Sequence, residues 1–154
     1  MGSEKSKDSL YYHHSSHATY NLTGHLVWIT KYRRKTLTPE IIERLKTIIQ
    51  WVCDERYINV LSLGFEEDHV HCLLSLPITA YIPDVVRYLK WRTSKVIWDE
   101  FYGHLRKFYF SKTEKHLWAV GYFFASVGSV NEDIVRKYVE NQGRDDVRGE
   151  EITL

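Results

Sequence analysis

The segment YINVLSLGFEEDHVHCLLSL, residues 57–76, holds two runs of strand-forming residues joined by an acidic turn of Glu66, Glu67 and Asp68. Residues 57–65 and 69–76 therefore read as the two arms of a β-hairpin. Successive side chains of a strand point to opposite faces. Val70, Cys72, Leu74 and Leu76 then share one face and read as core, while His69 and His71 point together to the opposite, open face. Pro77 ends the strand, because it cannot donate to the ladder.

Helices are predicted on both sides of this hairpin. On the N-terminal side, Ile41, Ile42, Leu45, Ile48, Ile49 and Val52 recur at helical spacing, so residues 39–55 form an amphipathic helix. Thr38 is its N-cap and Pro39 its first helical residue. Ahead of it, Tyr20 to Tyr32 reads as a strand centred on Leu26, Val27, Trp28 and Ile29. On the C-terminal side, Pro83 starts a helix to about Glu100, with Val85, Val86, Leu89, Val96 and Ile97 turned inward. Residues 102–115 read as irregular, and Leu117 to Ser126 as a long apolar strand. Ser129 and Glu132 fit a capping box, so a last helix covers residues 130–142, with Gly143 placed to end it. The order β-α-β-β-α-β predicts an α+β fold of ferredoxin-like type, an antiparallel sheet with two helices on one face and an extra C-terminal helix. The second sheet face then needs a cover, and the terminal helix, a partner subunit and DNA are the candidates.

A chain of 154 residues, 44% hydrophobic and 27% charged, fits one folded domain. Residues 1–17 are polar and read as a flexible N-terminal arm, with His13 and His14 exposed. Residues 18–143 form the domain and 144–154 a polar tail. No apolar run approaches the roughly 18 residues of a membrane span, and no secretory signal is visible. Cys53 and Cys72 make no C-x-x-C pair and sit among apolar residues, which predicts buried free thiols in a reducing cytoplasm. The net charge is only +1, but residues 140–154 hold five acids and two arginines. Without them 19 basic residues face 15 acidic ones. Lys31, Arg33, Arg34 and Lys35 form one basic knot, and Arg87, Lys90, Arg92 and Lys95 recur along one segment. With Tyr88 and Trp91 interleaved, these are the candidate DNA contacts.

Two imidazoles two residues apart on a strand make a metal-binding pair. With eight histidines in the chain, chance alone gives about 0.4 such pairs, so His69 and His71 need support. Tyr138 and Gln142 supply it. Four residues apart on the last helix, they are neighbours on one face, and chance gives about 0.14 such Tyr-x-x-x-Gln pairs.

Together these motifs resemble the single-tyrosine HUH transposases of small insertion sequences, the IS200-like group. That family has His-hydrophobic-His on a strand, then a distant helix carrying Tyr-x-x-x-Gln. His69-Val70-His71 and Tyr138 with Gln142 match in type, order and element, and His25 to Lys35 resembles the family's first strand and the basic segment after it. The resemblance implies a DNA transposase that cleaves and rejoins single-stranded DNA, with Tyr138 as nucleophile and a 5′-phosphotyrosine intermediate. It implies a divalent metal, Mg²⁺ or Mn²⁺, held by His69, His71 and Gln142; the imidazoles suit Mn²⁺ better. It also implies hairpin-ended DNA as partner, and a homodimer in which the tyrosine helix acts in trans. Two other readings stand beside it. One is a domesticated REP-associated tyrosine transposase with the same chemistry, the other a non-catalytic ferredoxin-like nucleic-acid-binding module.

Overall fold

The computed structural model describes residues 11–14, 18–109 and 116–127. Two short strands, β1 (His13–His14) and β2 (Thr19–Tyr20), pair with each other. The domain proper follows as β3 (Thr23–Ile29), α1 (Pro39–Glu55), β4 (Asn59–Glu66), β5 (His69–Ser75), α2 (Ile82–Leu105) and β6 (Phe123–Val127). The four longer strands form one antiparallel sheet in the order β4-β5-β3-β6. β4 and β6 thus flank a centre made of β3 and β5, which is the ferredoxin-like arrangement expected from the element order.

α1 begins where its sequence says it should. Thr38 is extended, its Oγ1 accepts from the Ile41 amide at 3.3 Å, and Pro39 follows at the first helical position. Its apolar stripe of Ile41, Leu45, Ile48, Ile49 and Val52 is buried, as are Val85, Val86, Leu89 and Ile97 of α2. Both stripes close on the same sheet face, where Leu26, Trp28, Val70, Cys72, Leu74 and Leu76 complete one core. Cys53 and Cys72 are buried free thiols. Burial pushes the Cys53 thiol up to about 12 and raises Cys72 as well, so neither supplies a thiolate at neutral pH.

The structure departs from the sequence reading in four places. The first long strand stops at Ile29; beyond it a 3-10 turn spans Lys31–Arg33. Tyr32 and Arg33 there take left-handed φ values of 61° and 50°. α2 runs on to Leu105, through a break at Phe101 (φ −123°, ψ 30°). The apolar run from Leu117 is not one strand: Trp118 makes a single bridge to Thr30, and pairing restarts only at Phe123. Gly121, at φ 96°, turns the chain between the two. Finally, His13 is tied down rather than loose in the arm. Its Nε2 donates to the Ser75 carbonyl at 3.1 Å, and its ring stacks on Tyr20. The helix expected over residues 130–142 and the tail 144–154 lie outside the described residues. No helix among the described residues is long and apolar enough to cross a membrane.

Candidate active site

The second sheet face carries the histidines. In β5, His69, His71, Leu73 and Ser75 alternate with the core residues, and their partners in the ladder share their face. Ile29 stands opposite His69, Val27 opposite His71 and His25 opposite Leu73 on β3. On the other side, β4 sets Glu66 opposite His69 and Gly64 opposite His71. This face was expected to be open, yet His69 and His71 are only 6% and 4% exposed.

Three imidazoles meet here. The rings of His69 and His71 lie 5.8 Å apart, and His25 meets the His71 ring edge-on at 6.0 Å. Burial is the main reason that the His71 pKa falls to about 4, with the neighbouring His69 and His25 adding to it; burial alone lowers His25 to about 4. His71 is therefore neutral at physiological pH, the form in which an imidazole binds a metal. His69 Nδ1 lies 2.8 Å from Asp68 Oδ1. A carboxylate only accepts, so Nδ1 carries the proton there, and in the neutral ring the lone pair is on Nε2. His69 Nε2 and His71 Nδ1 are buried with no hydrogen-bond partner among the described residues. Orphaned ring nitrogens on both members of the pair are what a metal site needs. The two histidines fit as two of its ligands, although no three His, Cys, Asp or Glu side chains among the described residues are grouped to hold an ion. The third expected ligand, Gln142, and the expected nucleophile, Tyr138, fall outside the described residues.

Sequence reasoning passed over Gly64, Asp68 and His25. A Cβ built on Gly64 would sit 2.0 Å from His71 Cε1, so the imidazole occupies the space that any other residue would fill. A glycine inside a strand signals such a close approach. Asp68 was assigned only to the turn, and its signal was an acid directly before a histidine pair. His25 was placed in the first strand, without regard to which face it takes.

The basic candidates part company in the fold. Arg33 pairs with Asp68 Oδ2 at 3.4 Å. The Arg34 guanidinium donates to the Phe108 carbonyl and lies over the Tyr32 and Tyr109 rings. Lys31 lies over Tyr32, and Lys35 is exposed. On α2, Lys90 Nζ donates to the carbonyls of Ala119 and Gly121 at 2.7 and 2.6 Å, and burial lowers its pKa to about 8. Arg92 donates to Tyr88 Oη at 2.7 Å and to Glu55 at 3.2 Å. Arg87 faces solvent, with 80% of its side chain exposed in a pair with Asp84. Trp91 is 55% exposed and Lys95 lies over its ring.

Two solved structures share this fold. A crystal structure from Deinococcus radiodurans R1, described as that of a transposase, superposes with a TM-score of 0.66 at 28% identity, covering 84% of this chain and 97% of that one. The REP-associated tyrosine transposase bound to a REP hairpin shares the fold at a TM-score of 0.58 and 15% identity, over 86% of this chain and 75% of that one. By sequence, the transposase of insertion element IS200 from Salmonella typhimurium is 27% identical over all 154 residues, 93% of its own length. The ISDra2 transposase TnpA of Deinococcus radiodurans is 30% identical over 123 residues, 80% of this chain and 85% of its own. Residues 18–142 match the profile of the family described as IS200-like transposase. The chain belongs to that family.

Proposed function

We propose that this transposase cleaves and rejoins single-stranded DNA through a covalent 5′-phosphotyrosine, with Tyr138 as the nucleophile. The observation that carries the reading is the histidine pair: two buried, adjacent imidazoles on one sheet face, each with a ring nitrogen that has no partner among the described residues. Keeping such groups costs stability, on the order of 1–3 kcal/mol for each unsatisfied polar group. A site that uses them explains why they are there.

In this reading Tyr138 Oη bonds to phosphorus, the bond from phosphorus to the 3′ oxygen breaks, and the 3′ oxygen leaves as a hydroxyl. The 5′ phosphate stays on the tyrosine, so attack by another 3′-OH rejoins a strand with no ATP. A free phenol is only about 0.1% ionised at pH 7, so it needs activation. A divalent ion, Mg²⁺ or Mn²⁺, held by His69, His71 and Gln142 would supply charge neutralisation at a non-bridging phosphate oxygen and at the departing 3′ oxygen. His71 serves by staying neutral, and Asp68 by keeping the His69 proton on Nδ1. Hairpin-ended single-stranded DNA is the proposed partner, and a homodimer with the tyrosine helix in trans the proposed assembly.

The test is a denaturing gel of single-stranded hairpin DNA from the flanks of the gene, incubated with protein and Mn²⁺. A metal-dependent covalent protein–DNA band, lost in Tyr138→Phe, is expected. Binding without any band from the wild type overturns the proposal in favour of a DNA-binding module. Mixing His71→Ala with Tyr138→Phe protein tests the trans arrangement: recovered cleavage supports it, and none counts against it.

A further inference from the structure

We propose that Asp68 is the positioning residue of the histidine pair and that Arg33, which the sequence suggests as a DNA contact, is its anchor. The inference rests on the proposed metal role of His69.

The argument begins with the backbone. The Asp68 carbonyl accepts from the Thr30 amide at 2.8 Å, and the Glu67 carbonyl accepts from the Leu37 amide at 3.0 Å. The turn before His69 is therefore clamped to the basic segment at both ends, and the Asp68 side chain starts from a fixed base. Its two carboxylate oxygens then divide. Oδ1 takes the Nδ1 proton of His69 at 2.8 Å, and Oδ2 faces Arg33 Nη2 at 3.4 Å. The three side chains run from surface to interior, at 36%, 16% and 7% exposure for Arg33, Asp68 and His69.

The chemistry follows from the imidazole. A neutral ring carries its proton on one nitrogen, and only the other can bind a metal. Without an acceptor at Nδ1, His69 would spend part of its time with the proton on Nε2 and its ligating lone pair lost. A carboxylate on the distal nitrogen also orients the ring and raises its basicity as a ligand. Arg33 faces the second oxygen and so favours the orientation in which the carboxylate meets His69. The chain is bent to make this contact. Tyr32 and Arg33 are consecutive non-glycine residues in the left-handed region, a conformation that L residues hold only when their surroundings impose it. Thr30 imposes it here, because its Oγ1 donates to the Arg34 carbonyl at 2.7 Å and its own carbonyl accepts from the Arg33 amide.

The test uses the full chain with no DNA present. Mn²⁺ affinity is followed by the electron-spin resonance of free Mn²⁺. The His69 tautomer is read from long-range ¹H–¹⁵N spectra of metal-free protein, with thermal unfolding to verify that each variant is folded. We expect wild-type His69 to carry its proton on Nδ1. In Asp68→Ala the tautomers should mix and Mn²⁺ affinity fall roughly 10- to 100-fold. Arg33→Ala should lower it several-fold, and Lys46→Ala, an exposed cation on α1, should leave it unchanged. A wild-type proton on Nε2, or an unaltered affinity in Asp68→Ala, overturns the role of Asp68. An unaltered affinity in Arg33→Ala overturns the anchor and returns Arg33 to the DNA contacts. If the wild type shows the Nδ1 tautomer but takes up no Mn²⁺, the metal reading fails while the hold of Asp68 on His69 stands.

Discussion

On one face of β5, Val70, Cys72 and Leu74 are wholly buried against α1 and α2; on the other, His69 and His71 are almost as buried, at 6% and 4% exposure. The backbone is shared and the degree of burial nearly so, yet the two faces are built differently. The helix face is satisfied by dispersion and by apolar area removed from water. The histidine face holds polar atoms, some with partners and some without. His69 Nδ1 has Asp68, whereas His69 Nε2 and His71 Nδ1 have none among the described residues. Burial alone therefore does not define a core. The helix face contributes stability, and the histidine face gives up stability to hold two imidazoles side by side.

The largest test of this contrast exchanges the readouts. Leu74→Ala on the helix face should cost about 2–5 kcal/mol in urea unfolding, the usual penalty for a fully buried leucine. His71→Ala, one face away, should abolish metal-dependent cleavage and cost far less stability. A His71→Ala protein as destabilised as Leu74→Ala would erase the distinction between the faces.

Next comes the pH dependence. Folding lowers the pKa of His25 and His71 from 6.5 to about 4. Between those values the unfolded chain binds more protons than the folded one, so folding stability is full above pH 6.5 and declines as pH falls toward 4. The slope for each imidazole approaches about 1.4 kcal/mol per pH unit. Urea unfolding of metal-free protein at pH 7.5 and pH 5 measures it, and His71→Ala should flatten it. A pH-independent stability would mean that these rings are not desolvated.

Gly64→Ala sharpens the comparison within the histidine face. The added methyl meets the His71 ring, and overpacking of that kind costs about 1–3 kcal/mol. In a His71→Ala background the same change should be nearly free, because the space is vacant. A double-mutant cycle by thermal unfolding gives the coupling, and a zero value would mean that His71 does not rest on Gly64.

The smallest effect separates the two kinds of basic residue on α2. Lys90→Ala should lower the melting temperature, since Nζ holds the Ala119 and Gly121 carbonyls. Arg87→Ala should leave the melting temperature unmoved and weaken single-stranded DNA binding, reducing the salt slope by about one. The reverse pattern would show that the internal hydrogen bonds of Lys90 are not its main use.

Much of this protein was legible because its signals are local. Thr38 and Pro39 announce the start of α1, and period-2 alternation places Val70, Cys72 and Leu74 opposite His69 and His71. Departures came where a local signal met a tertiary contact. The apolar run from Leu117 looks like one strand until Gly121 turns it, and Trp118 is drawn inward instead, its Nε1 donating to Thr93 Oγ1 at 2.8 Å. The basic knot looks like one DNA patch, because charge is visible in sequence and partners are not. Only the fold brings Asp68 to Arg33, and Phe108 to Arg34.

By itself the sequence determined the element order, the two faces of β5 and the family to which the chain belongs, since each rests on residue type at fixed short spacing. The tertiary structure decided what those residues meet. It buried the histidine face, laid the His71 ring over Gly64, set His25 beside it and tied His69 through Asp68 to Arg33, 36 positions earlier in the chain. Such contacts join residues far apart in sequence, and their geometry exists only after strands pair and side chains compete for the same space.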